Sequence, residues 1–138
     1  MQGGDAGCRG SVDRSRVRHV AQHELDTAAR LAKFGFRVVL READVESTAD
    51  AYVNDVLADF KWSSSSRTGN IQTQVKKRRD NQGPRFIVDI SSSSLAIDEV
   101  APAMQRLCDQ YPDRIVTIMV VDRMAMRVVG EEVPQWRL

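Results

Sequence analysis

Apolar residues recur at three- and four-residue steps early in the chain. Val17, Val20, Ala21, Leu25, Ala28, Leu31 and Ala32 form one stripe, which predicts an amphipathic helix over residues 12–33. Gly35 stands where such a helix would end, because glycine takes the left-handed C-cap conformation without steric cost. The period then changes. Residues 36–41 are a β-branched run with strand character, followed by a polar loop over 42–49. Ala51-Tyr52-Val53 and residues 56–61 flank Asn54-Asp55, the pattern of a hairpin. A serine-rich loop over 63–69 leads to a helix over 70–79, capped by Asn70 or Thr68 and broken by residues 81–84. A strand over 86–90 and a serine cluster at 91–94, able to cap a helix, precede an amphipathic helix over 97–110. Pro102 is expected to delay the start of that helix to residues 99–101. Residues 114–121 form the most apolar strand, expected at the sheet centre, and 126–129 a short edge strand. The order α-β-β-β-α-β-α-β-β describes a mixed α/β sheet with helices on its faces. Residues 1–11 show no periodicity and are expected to be a flexible tail, leaving 12–138 as one domain.

Composition narrows the class. With 138 residues, 42% hydrophobic and 28% charged, the chain has the make-up of one globular domain and not of a disordered or fibrous protein. No apolar run is long enough to span a membrane, and the first residues lack the apolar core of a signal peptide, so no export address is expected. The net charge of +1 predicts no polyanionic partner by itself. Its distribution is more informative. Lys61, Arg67, Lys76, Lys77, Arg78, Arg79 and Arg85 face only Asp80 within residues 61–85. Such a stretch is either a solvated helix face or a surface for nucleic-acid phosphates. Cys8 and Cys108 sit in no metal-ligand spacing and read as free thiols in a reducing compartment. His19 and His23 are four apart, but Glu24 follows the second histidine, so the zinc-protease motif is absent and both read as surface residues.

Three acidic positions carry the chemistry. Glu24 lies on the apolar stripe, where a carboxylate is costly unless paired, hydrogen-bonded or bound to a cation; a half-exposed residue at the stripe edge is the other reading. Asp50 opens the hairpin, and Asp59 and Lys61 sit two apart on its second strand, so they share a face. Paired carboxylates suit a hard divalent cation such as Mg²⁺. A neighbouring ammonium can stabilise charge growing on a phosphate. Together these are the parts of metal-assisted phosphodiester hydrolysis.

The segments HELDTAARLAKFGFRVVL, ADAYVNDVLADFKWSSSS and RTGNIQTQVKKRRDNQGPRFIVDIS carry a resemblance over about residues 18–130. In them a helical Glu, a hairpin-opening Asp and an Asp-x-Lys follow one another. This order resembles the PD-(D/E)-x-K nuclease superfamily, whose restriction-endonuclease-like core is α-β-β-β-α-β. More narrowly, it is similar to the tRNA nuclease toxin domains at the C-termini of contact-dependent growth inhibition proteins. The resemblance implies Glu24, Asp50 and Asp59 as metal-site residues, with the Phe60 carbonyl as a further ligand, and Lys61 as the catalytic lysine. It implies Mg²⁺, with Mn²⁺ or Zn²⁺ as alternatives, a tRNA substrate and a neutralising immunity protein. It also implies action in the cytoplasm of a target bacterium after delivery as part of a larger exported protein. Ala49 stands where the family often has Pro, a change that touches backbone shape and no ligand.

Residues after Lys61 are the expected nucleic-acid contacts. Ser64, Ser66 and Thr68 offer hydroxyls near a helix start, and Arg67, Lys76, Lys77 and Arg79 offer charge. Trp62 can stack on an unpaired base or be a buried aromatic. Two other readings stand beside the ribonuclease: a DNA endonuclease of restriction or repair type in the same superfamily, and a non-catalytic binding module whose Asp-x-Lys is a surface ion pair.

Overall fold

A computed structural model describes residues 10–42, 49–77 and 83–137. Cys8, Arg78, Arg79 and Asp80 lie outside the described residues, as does the expected tail up to residue 9. Seven strands form one mixed sheet: β1 (Ser11–Asp13), β2 (Arg37–Leu40), β3 (Ala51–Val53), β4 (Val56–Trp62), β5 (Arg85–Asp89), β6 (Thr117–Val121) and β7 (Met126–Gly130). Among the described residues there are three α-helices, α1 (Gln22–Lys33), α2 (Thr68–Lys76) and α3 (Ile97–Gln110), and a closing 3₁₀ turn at Pro134–Trp136. The strands lie side by side in chain order. The β1–β2, β4–β5 and β5–β6 ladders are parallel, and each of these crossovers carries one helix. The β2–β3, β3–β4 and β6–β7 ladders are antiparallel. The expected mixed α/β order is therefore present, with one strand added at the front.

The sheet separates two cores. Ala28 and Leu31 of α1 pack with Val38, Leu40, Ala58, Phe60, Ile87, Met119 and Trp136. Ile71 and Val75 of α2 and the apolar stripe of α3 pack with Phe86, Val88, Ile118 and Val120. Alternation along β5 and β6 assigns neighbouring residues to opposite cores, so the middle of each strand, residues 86–88 and 118–121, is apolar on both faces.

Four local expectations are corrected. Residues 12–21 are not helical. The Asp13 carboxylate accepts the Ser15 N–H and hydroxyl and turns the chain, and Arg18 N–H donates to Glu42. Val17 and Val20 still pack on the core, but from an irregular segment, which supplies the helical-looking period without a helix. His19 thus precedes α1 rather than sharing it with His23. In α2, neither Asn70 nor Thr68 caps. Arg67 holds the cap position, and its N–H donates to Ser65 Oγ just before the helix. In α3, Pro102 delays nothing. The helix starts at Ile97 behind Ala96, whose N–H donates to Glu99, so the serine cluster does not cap it. Pro102 is exposed there, as is Asp98, whose carbonyl would have been its partner. Finally, β6 is fully buried but lies next to the edge strand β7, not at the centre. The packed helices, not its rank in the sheet, cover it.

The front strand has a backbone cause. A Cβ on Gly10 would sit 2.1 Å from the Phe36 carbonyl oxygen, so only glycine allows this approach. Gly10 N–H then bonds to Ala32 O and Ser11 N–H to Phe36 O, which sets β1 beside β2. The β3–β4 turn puts Asn54 and Asp55 at positive φ, as a two-residue hairpin of this kind requires. The Asn54 side chain bridges Arg37 N–H and Gln135 O and holds that conformation.

Candidate active site

Asp50 stands one step before Ala51, and both oppose Ala58, so the ladder is broken by a bulge at the hairpin's open end. Asp50 is fixed by its backbone, which bonds to Ala58 O on one side and takes Arg41 N–H on the other. Its Oδ2 accepts the Phe60 N–H at 2.7 Å. Asp59 and Lys61 project from β4 to the sheet face of Phe86 and Val88, their register partners. Asp59 is 2% exposed. The Lys61 Nζ lies 2.9 Å from Asp59 Oδ2, within ion-pair range. It approaches off the direction a hydrogen bond needs, and Asp59 Oδ2 is left buried without a hydrogen-bond partner.

The electrostatics follow from this crowding. Burial first, and the Asp59 charge second, push the Asp50 carboxyl up to about 8; a hydrogen bond to Asp59 and the Glu24 charge push the same way, against the Phe60 N–H. The Asp50 carboxyl is therefore held protonated to higher pH than an ordinary carboxylate. Glu24 is half-buried on the first turn of α1 and lies within electrostatic reach of Asp50. The structure thus brings Asp50, Asp59 and Lys61 together, while Glu24 reaches them only through its charge, from the helix on the other face of the sheet.

Among the described residues, no three carboxylate, imidazole or thiol side chains form a ready-made metal cage. Mg²⁺ does not need one. It is usually held by one or two carboxylates and keeps its remaining waters for itself and for phosphate. Two facing carboxylates, one with an unsatisfied buried oxygen, fit that demand.

The expected nucleic-acid residues are more scattered. Ser64, Ser66 and Arg67 are exposed and Thr68 half-buried at the start of α2, while Lys76 and Lys77 are exposed at its end, roughly 12 Å away along the helix. Lys76 lines a small cleft of about 70 Å³ with Tyr111, Arg114 and Ile115. Trp62 pairs with Asp89 and turns to the α1 face, away from Lys61, where its ring stacks on His23 at 5.6 Å. Gln74 and Gln72 donate to Trp62 O and Ala103 O, tying α2 to β4 and α3.

Sequence reasoning passed over Asp89, which is completely buried and bonded to Thr27 and Arg30 of α1. A lone carboxylate inside the apolar run Phe86-Ile87-Val88-Asp89-Ile90 was the available signal.

Residues 46–125 match the family model of the contact-dependent growth inhibition CdiA C-terminal domain, a span that contains Asp50, Asp59 and Lys61. The fold is similar to a chain in the solved "CdiA-CT/CdiI toxin and immunity complex from Burkholderia pseudomallei". The TM-score is 0.65 at 18% identity, covering 88% of this chain and 98% of that one. At that identity the likeness is one of fold. No curated protein matches the chain.

Proposed function

The chain belongs to the contact-dependent growth inhibition CdiA C-terminal domain family, and from this we propose that it is a toxin domain acting as a metal-dependent ribonuclease on tRNA phosphodiesters. It acts in the cytoplasm of a target bacterium and is neutralised by a cognate immunity protein. The solved chain of similar fold comes from a toxin and immunity complex, which supports the partner and the toxin role. The observation that carries the nuclease reading is the Asp50–Asp59 pair, with its raised pKa and unsatisfied oxygen beside Lys61. A fold does not keep such an arrangement for stability, because each of its features costs stability.

Asp50 and Asp59 would hold the cation, with Glu24 tuning their charge. A divalent cation there supplies neutralisation of the phosphate and a water of lowered pKa. Lys61 keeps a positive charge at the phosphate and orients the attacking water. To hold a cation Asp50 would have to be ionised, so binding would be linked to release of its proton. Ser64, Ser66, Arg67 and Thr68 at the start of α2 receive the phosphates that follow, and Lys76 and Lys77 extend the contact along the helix.

The test is to incubate the chain with total tRNA and separately with plasmid DNA, each with Mg²⁺, Mn²⁺ or EDTA, beside an Asp59→Ala control. Discrete tRNA fragments that require metal and vanish in the variant are expected. Cleavage of DNA alone would move the activity to a DNA endonuclease. A folded chain that cleaves neither would overturn the nuclease reading.

A further inference from the structure

Asp89 ends β5 and pairs with Trp62, the residue after Lys61. Its carboxylate accepts three donors drawn from two elements. Thr27 Oγ1 lies 2.6 Å from Oδ2, Arg30 Nη1 lies 2.9 Å from the same oxygen, and Ser91 N–H reaches Oδ1 at 2.9 Å. Two of these donors belong to α1. Thr27 stands three residues after Glu24 and four after His23, about one helical turn, so the three share one side of α1. His23 stacks on Trp62. The helix is thus fastened to the β4–β5 ladder at two heights, a ring stack at its start and a carboxylate clamp one turn on. Glu24 lies between the two.

We propose that Asp89, Thr27 and Arg30 are positioning residues that fix the roll and height of α1, and with them the place of Glu24 on its first turn. The apolar contacts of α1, through Ala28 and Leu31, cannot do this alone. Apolar packing is non-directional and permits a helix to slide or roll by a fraction of an ångström. Charge-assisted hydrogen bonds have fixed lengths and directions and do not. The kinetic half of this inference rests on the nuclease reading above; its structural half does not.

Thr27→Val keeps shape and removes the hydroxyl, and Thr27→Ser keeps the hydroxyl. Three quantities are measured on the full chain: kcat and KM on tRNA with Mg²⁺, thermal melting, and the indole N–H resonances of Trp62 and Trp136. The Trp62 resonance is identified by its loss in Trp62→Phe. Thr27→Val is expected to lower kcat about tenfold with KM unchanged, because small misplacement of a catalytic group is costly. Thr27→Ser restores it. The Trp62 resonance shifts in Thr27→Val while that of buried Trp136 stays in place. On a Glu24→Gln background Thr27→Val has no further effect on kcat, since residues acting as one unit are not additive. A folded Thr27→Val with unchanged kcat and an unmoved Trp62 resonance would overturn the proposal. So would an equal further loss on the Glu24→Gln background. If the wild-type chain cleaves no nucleic acid, the nuclease reading fails, and the Trp62 resonance alone decides whether the clamp sets α1.

Discussion

Asp59 and Asp89 lie on neighbouring strands of one ladder, and both are removed from water, at 2% and 0% exposure. Their surroundings differ. Asp89 accepts a hydroxyl, a guanidinium and a backbone N–H, so its charge is fully compensated. Asp59 lies against a second carboxyl, and its buried Oδ2 has the Lys61 ammonium in ion-pair range but no hydrogen bond. Burial alone therefore says little about what an acidic residue does. The completeness of its partners separates a residue that holds the fold from one that is a candidate for a ligand.

Substitutions can break this comparison, and the largest effect belongs to Asp59. Asp59→Ala is expected to abolish metal-dependent cleavage, by a factor of at least about 10³, while leaving the melting temperature equal or higher. The loss of a poorly satisfied buried carboxylate relieves a cost. Cleavage assays and thermal unfolding on the same preparation check both halves. At Asp89 the balance is reversed. Asp89→Ala leaves Arg30 and Thr27 without their acceptor and is expected to cost about 3 kcal/mol of stability, read by urea unfolding.

Next in size is a pH effect on stability. Asp50 keeps its proton in the fold up to about 8, whereas the unfolded chain releases it near the ordinary 3.8. The folded state thus binds more protons between these values. The contribution of Asp50 is greatest below the lower value and is lost as pH rises towards the upper one. The slope is no steeper than about 1.4 kcal/mol per pH unit. Asp50→Asn is expected to flatten this decline in unfolding curves taken from pH 4 to pH 8. In the same window Mg²⁺ should bind more tightly as pH rises and should release protons, which calorimetry in buffers of different ionisation enthalpy reads directly. The smallest effect belongs to the ring pair. His23→Ala should cost about 0.5 kcal/mol of stability and alter the near-ultraviolet signal of Trp62.

Most of the acidic site was legible because strand geometry is strict. A period of two places Asp59 and Lys61 on one face, and the Asn54-Asp55 turn fixes the register that ends with Ala51 opposite Ala58, next to both Asp50 and Asp59. The start of α1 was not legible in the same way. Val17 and Val20 satisfy a helical period from an irregular segment, and no buried residue marks β1, whose three residues, Val12 included, are all exposed. Gly10 carried the information, but as a close backbone approach that no periodicity shows. The role of Trp62 was equally hidden. Its orientation depends on which face of β4 receives α1, a tertiary fact, and its ring partner lies 39 positions earlier in the chain, at His23.

The agreement of strand order with chain order bears on kinetics. No strand waits for a partner from the far end of the sequence, since each pairs with its neighbour in the chain. Loop-closure cost grows only slowly with loop length, so joining successive strands costs less than joining the two ends of the chain. A chain of this design that has been drawn out into an extended thread can regain its sheet one neighbour at a time. Recovery of the fold after full denaturation should then be rapid and should need no template.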